Sequence, residues 1–390
     1  MRVAVVTNLY PPHVLGGYEI LCEQVCRRLQ GRGWDVHVLT SRHGMSEGDS
    51  EHDASGGVPV DRRMELFLPF GAPPVIDRPH RNEITAKNRA VAKQWLSEVD
   101  PQIVFFWSLL RVTVGAVRAA MDLRKQVAFT FNDANIESYL PAKPNRPHRW
   151  IQDHILYPDA TLKGIPLNQG TCISGVLREE MRGKLGPSFD AKVIHQGVPL
   201  EDLEPKADIG DRHEPFRVLY AGQLHAYKGV MDLVDAAATL GPQVEVRIAG
   251  AGDVEFERAL KAKAAANTTL VGRVPRAELV EQYRWADALV FPSVWKEPFG
   301  LTHLEAMACG TPVISTANGG QGEFLEDGVN ALVVNPESPA QIAAAVERLS
   351  ADDDLRRRIA TRGMEVARTK YSMDRYVDDL ESWLKQQVAA

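Results

Sequence analysis

"FRVLYAGQLHAYKGVMDLVDAAATLG" (residues 216–241), followed by "VEVRIAGAG" (244–252), is the stretch from which the fold can be read. An apolar run ends at a glycine-bearing loop, a helical stretch follows, and a second apolar run comes after it. Strand, loop, helix, strand is a βαβ unit, and strands this continuously apolar belong to a parallel sheet covered on both faces. The same order opens the chain. "RVAVVTNLY" (2–10) is a strand running into a loop. In "LGGYEILCEQVCRRLQGRG" (15–33), Leu21, Val25 and Leu29 recur at helical spacing and Gly31 and Gly33 stop the helix. "WDVHVLTS" (34–41) is the next strand.

Working outward, further strands are expected at Ile103–Trp107 and Val127–Phe131 in the first half. In the second half they are expected at Thr269–Val271, Ala288–Phe291, Pro312–Thr316 and Ala331–Val334, each alternating with a helix. The polar stretch "GVPLEDLEPKADIGDRHEP" (197–215) reads as a linker. The expected class is therefore α/β, with two doubly wound, Rossmann-like parallel-sheet domains facing across a cleft. They span 1–200 and 201–372, and ligands are expected where strand ends meet helix starts. The tail has Tyr376, Leu380 and Leu384 on one helical face, so an amphipathic helix at about 373–390 is expected to pack back on the first domain. The polar, glycine-rich stretch 41–60 reads either as a flexible surface loop or as a loop facing substrate.

Composition narrows the class. With 390 residues, 44% hydrophobic and 25% charged, the chain is long enough for two or three ordinary globular domains. A net charge of −6 gives no push toward non-specific nucleic-acid binding. No apolar run of 18 residues and no signal peptide is evident, so a cytoplasmic protein is expected. Cys22 and Cys26 stand one helical turn apart and could share a metal, but their neighbours are apolar and no His or Cys ligands cluster nearby, so they read as packed thiols; Cys172 and Cys309 are scattered.

The chemistry concentrates in "EPFGLTHLE" (297–305), where Glu297 and Glu305 stand eight positions apart. A helix beginning near Gly300 would present the Gly300 and Leu301 amides at its positive end, a cradle for a diphosphate. Glu305 would lie about 7 Å further along that helix, placed to accept hydrogen bonds from a ribose diol. Gly16-Gly17, between the first strand and the first helix, would let backbone approach a ligand beside further helix-terminus amides. It is not a dinucleotide fingerprint, and no P-loop is present. Lys228 occupies another strand-to-helix loop, where an ammonium can neutralise phosphate. "ADDD" (351–354) opens a helix and reads as capping, not as a metal site.

At this point the sequence resembles a family. "YAGQLHAYKGV", "LVGRVPRAELVEQYRWADALVFPSVWKEPFGLTHLEAMACGTPVISTANGG" and "EDGVNALVV" closely resemble the second domain of GT-B glycosyltransferases of the large retaining family 4, also called group 1. "NLYPPHVLGGYE" is similar to its first-domain loop. The resemblance implies a nucleotide-sugar donor held by the second domain, UDP-sugar above others. It also implies an acceptor on the first domain, no cofactor and no metal. Carried over, Glu305 holds the ribose, Glu297 the sugar, Phe299, Gly300, Leu301 and Thr302 the sugar and phosphates, and Lys228 the phosphates. Arg273 and Val274 flank the nucleobase, and Gly16 and Gly17 close over the phosphates. Two positions depart from the family: Gln223 stands where Arg is usual, and Asn132 where a His commonly contacts the donor sugar.

The implied reaction moves a hexosyl group to a hydroxyl of a glycan, glycolipid or small molecule with retention, and Glu297, Lys228 and Asn132 are the residues expected nearest the chemistry. Alternatives are a non-catalytic nucleotide-sugar-binding subunit or a nucleotide-sugar epimerase on the same fold. The basic stretch "KPNRPHRW" (143–150) raises peripheral contact with the inner face of a membrane.

Overall fold

The computed structural model describes residues 1–68 and 77–389. The chain divides into two units. One comprises Met1–Ile173, Leu177–Ile194 and the chain from Val377 on; the other comprises Ser174–Val176 and His195–Tyr376.

The first unit is built on eight strands: β1 (Arg2–Val6), β2 (Asp35–Ser41), β3 (His52–Ser55), β4 (Val58–Met64), β5 (Ile103–Phe106), β6 (Gln126–Phe131), β7 (Gly170–Cys172) and β8 (Lys192–Val193), in the order β3-β4-β2-β1-β5-β6-β7-β8. All neighbours are parallel except the β3–β4 hairpin. Val3 pairs with Val36 on one side and Ile103 on the other. The chain thus leaves β1 in one direction and returns through β5 in the other, so the loops after β1 and β5 share a topological switch point. All four residues of β5 are buried, as a strand covered on both faces requires.

The stretch 41–60 is more ordered than either of its readings allowed, because it contains β3 and the start of β4. Gly56 and Gly57 take φ of 59° and 84° between Ser55 and Val58, and two successive positive φ values make the tight turn of a hairpin. Val58 and Val60 are buried on β4, which pairs with β2. The signal was the Gly-Gly followed by alternating valines, hidden by the polar residues around it.

The second unit has six parallel strands: β9 (Phe216–Ala221), β10 (Val244–Ala249), β11 (Thr268–Gly272), β12 (Ala288–Phe291), β13 (Val313–Ser315) and β14 (Leu332–Val333), in the order β11-β10-β9-β12-β13-β14. Its core joins Val218 and Tyr220 of β9 and Val246 and Ile248 of β10 to Leu233, Val234 and Ala237 of the helix Val230–Leu240. Tyr220 stacks on Phe291 with centroids 5.5 Å apart. The switch point lies between β9 and β12, which puts the loops 222–229 and 292–300 side by side.

All four cysteines are free and buried. Asp352 caps the helix Asp353–Lys370 by accepting from the Leu355 amide. Among the described residues, no helix is long and apolar enough to cross a membrane.

The helix Met373–Ala389 crosses from the second unit into the first at Val377. Within the first unit its Glu381 accepts from Arg32 Nη1 (2.9 Å) and from the Trp34 indole (3.0 Å), and it pairs with Lys385 (2.6 Å). Trp34 is buried, so losing its acceptor strands an indole N–H at a cost of about 1–3 kcal/mol. Glu381→Ala should therefore speed amide exchange across 377–389 roughly tenfold while the β9–β12 strands keep their protection. Hydrogen exchange read by mass spectrometry checks this, and unchanged exchange in the helix would remove Glu381 as its anchor.

Candidate active site

Within the second unit, Lys228 ends the short turn Ala226–Lys228 after β9, and Glu297 stands in the loop after β12. The next residue, Gly229, has φ of 68°, and a Cβ there would fall 1.9 Å from the Pro292 carbonyl oxygen. Only glycine allows the two loops to approach this closely. Across that contact Lys228 Nζ donates to both Glu297 oxygens, at 2.8 and 2.9 Å. Ser293 Oγ donates to Glu297 Oε1 at 2.6 Å, and the Gly320 amide donates to the Glu297 carbonyl at 2.7 Å. Lys228 is 8% exposed and Glu297 7%, so this is a buried, bidentate ion pair. The Trp295 ring lies 4.6 Å from the ammonium, a cation–π distance.

The helix Leu301–Ala308 begins at Gly300, with no side chain capping its first turn. Just over one turn in, the buried Glu305 accepts from the Tyr283 hydroxyl at 2.8 Å and from Arg276 Nη1. Burial, and then the Glu305 charge, hold the Tyr283 phenol well above its ordinary pKa, so it remains a donor at neutral pH. Arg276 opens the helix that follows the exposed Arg273 and the half-buried Val274. The loop after β11 is thereby tied to Glu305. Gln223 is exposed; its carbonyl accepts from Tyr220 Oη (2.8 Å) and its Oε1 from Tyr227 Oη (3.3 Å).

Sequence reasoning thus placed Lys228, Glu297, Gly300, Leu301, Thr302, Glu305, Gln223, Arg273 and Val274 on loops and helix starts at the strand ends of this unit. Phe299 was expected to meet the sugar and phosphates, and its side chain turns inward. It is 2% exposed and packs against His195, Phe324 and Tyr371, so only its backbone is available to a ligand. Ser293, Arg276 and Tyr283 were missed. Ser293, four residues before Glu297, was the most readable of them; the other two come from a different helix and carry no local signal.

In the first unit, Gly16 and Gly17 precede and open the helix Gly17–Gly31. A Cβ added at either meets no atom within 4 Å, so packing does not demand glycine there. The helix start is less free than expected, because Glu19 accepts from the Gly16 and Leu15 amides at 3.0 and 3.3 Å. A carboxylate already sits where an anion was expected to bind. Asn132, after β6, donates to Tyr18 Oη at 3.2 Å, and that hydroxyl donates to the Trp107 carbonyl. Asn132 and the residue following Gly17 therefore meet at the strand ends of this unit.

Comparison with known proteins places the chain. Residues 15–202 match the family model described as Glycosyltransferase Family 4, and residues 203–366 match that described as Glycosyl transferases group 1. An uncharacterized glycosyltransferase of Methanocaldococcus jannaschii is 26% identical over 96% of this chain and 95% of its own length. Glycogen synthase of Mycobacterium tuberculosis is 35% identical, over 47% of this chain and 45% of its own. The match therefore spans less than half of that relative. Sucrose-phosphate synthase from Thermosynechococcus elongatus has the same fold, with a TM-score of 0.75 at 22% identity over 100% of this chain and 99% of that one. Anabaena HepE in complex with UDP and glucose gives a TM-score of 0.71 at 18% identity, over 98% and 99%. The two doubly wound sheets are those of GT-B glycosyltransferases. The chain belongs to the group 1, family 4 glycosyltransferases and is a transferase enzyme.

The helix carrying Glu305 is fixed by His303, whose Nε2 lies 2.7 Å from Ser315 Oγ. Burial pushes the His303 pKa down from 6.5 to about 4. The native state therefore refuses a proton that the unfolded chain accepts below its own pKa, about 6.5. Stability from this group is complete above that pH, is lost as pH falls, and levels off near 4. His303→Gln should lose on the order of 3 kcal/mol less than the parent between pH 7 and 4. Denaturant titrations at a series of pH values measure the difference, and parallel curves would contradict it.

Proposed function

We propose that the protein transfers a hexosyl group from a UDP-sugar to an acceptor hydroxyl with retention of anomeric configuration and without a metal ion. The observation that carries this is the buried Lys228–Glu297 pair beside an uncapped helix start, with Glu305 just over one turn along the same helix. Glu305 anchors the ribose diol and the Gly300 and Leu301 amides receive the diphosphate. Lys228 turns from Glu297 to the departing phosphate, and Glu297 then orients the sugar hydroxyls. The C1–O bond to phosphate breaks, the acceptor oxygen bonds to C1 on the same face, and its proton passes to the leaving phosphate. Charge on the leaving group is met by preorganised amides and one ammonium, the roles a divalent cation fills elsewhere.

HepE, a neighbour in fold, is described in complex with UDP-glucose, which supports the choice of donor. Acceptor binding falls to the first unit. We place its work in the cytoplasm, with the basic stretch 143–150 open to contact with the inner face of a membrane.

A panel of nucleotide sugars assayed for slow hydrolysis tests this without knowledge of the acceptor. Hydrolysis of a UDP-sugar in excess chelator, with proton NMR showing the retained anomer in the fresh product, is the expected result. Glu305→Ala should raise the donor Kd more than tenfold, because a charged acceptor to a diol contributes about 1.5–3 kcal/mol. Donor binding without any turnover would instead make this a binding subunit, and conversion of the donor to its epimer would make it an epimerase.

A further inference from the structure

The first unit holds an open cavity of about 890 Å³, lined in part by the basic stretch 143–150. Its lining includes Arg78, Asn135, Glu137, Lys143, Arg146 and Arg149. Two of these charges already have partners. Arg78 Nε donates to Asp153 Oδ1 at 2.8 Å, and the fully buried Asp153 also accepts from the Ala142 amide at 3.0 Å, which fixes the cavity wall. Glu137 pairs with Lys184 at 2.5 Å, so its negative charge is neutralised at the edge. Among the described residues, Lys143, Arg146 and Arg149 form no ion pair. They sit within seven positions of one another, on a turn closed by the Arg146 amide to the Lys143 carbonyl (3.0 Å) and on the short helix Pro147–Ile151 that follows.

Three unmatched cations around one concavity run against a chain whose net charge is −6. Like charges gathered on one rim repel, and a bound anion relieves that repulsion. Two guanidinium forks with an ammonium match the oxygens of a phosphate, which each fork can grip through two parallel hydrogen bonds. The volume lies in the range of small-molecule sites and exceeds what a phosphate fills, leaving room for a sugar or polyol. Asn135 lines the same space and supplies neutral polar groups for hydroxyls.

We infer that this cavity binds the phosphate group of a phosphorylated acceptor. The inference rests on the transferase reading above for the word acceptor, while the phosphate site itself stands on the cavity and its cations. A phosphorylated sugar in solution and a phosphate carried on a lipid share this chemistry.

Calorimetric titration of the full chain with glucose 6-phosphate, with geranyl monophosphate and with glucose tests the assignment. At least one phosphate ester should bind and glucose should not, with affinity falling as salt rises. Whichever ester binds identifies a soluble or a lipid-borne source. Arg146→Gln with Arg149→Gln should weaken binding at least tenfold, Lys143→Gln should weaken it separately, and lysine at both arginine positions should restore part of it. Failure of both esters to bind, or equal binding by the glutamine variants, would overturn the proposal. So would loss of adsorption to phosphatidylglycerol vesicles in those variants with ester binding intact, which would assign the cations to a membrane surface. Donor hydrolysis by the parent chain is read in parallel. Its absence would defeat the transferase reading and leave the phosphate site standing, so the two failures are distinguishable.

Discussion

A lysine and a glutamate, each less than a tenth exposed, meet where the loops after β9 and β12 come together. Burying two charges costs several kcal/mol per ion, and the mutual attraction offsets this only when the geometry is good and the remaining lone pairs are satisfied. Here both Glu297 oxygens accept from Lys228, Ser293 adds a third bond, and the Trp295 ring lies beside the ammonium. The loop geometry depends on this contact and the contact depends on the loops. Gly229 must be glycine because Pro292 lies against it, and the backbone of Glu297 is held by Gly320. A pair built this way is a poor source of stability and a good device for storing a positive charge. The ammonium is held nearly out of solvent, where on the proposed mechanism an anion of greater charge would compete for it.

Glu305, just over one turn into the helix that follows, repeats the arrangement. Its oxygens accept from Arg276 and Tyr283, which come from the helix after β11. A carboxylate has about four lone-pair directions, so two donors from the protein leave capacity for a diol. The same bonds tie the loop at Arg273 and Val274 to Glu305.

How much of this the sequence discloses follows from the range of each signal. The βαβ order and the inner strands of the second sheet were legible because strands covered on both faces are continuous apolar runs, while β11, at the edge, is mostly exposed. The spacing of Glu297 and Glu305 was legible because both lie on one local stretch. The β3–β4 hairpin was not, since its apolar positions are only Val58 and Val60 amid charge and glycine. Arg276 and Tyr283 were not, because nothing local marks a side chain that reaches a glutamate 29 or 22 positions on. The orientation of the Phe299 side chain was not legible for a related reason. Proximity to a ligand loop does not tell whether a side chain points to the ligand or, as here, into an aromatic cluster with Phe324 and Tyr371. Glu19 was overlooked as the partner of the Gly16 amide although it stands only three residues on, where a capping box places its acid.

The central claim is that Lys228 is held in reserve by Glu297 and released to the diphosphate. The most direct measurement is the affinity of UDP for the parent chain and for Glu297→Gln by calorimetry. A glutamine keeps the shape and one acceptor but removes the competing charge, so UDP should bind several-fold more tightly to the variant. Unchanged or weaker UDP binding would contradict the account, because it would show that the ammonium of Lys228 does not move between the carboxylate and the phosphates.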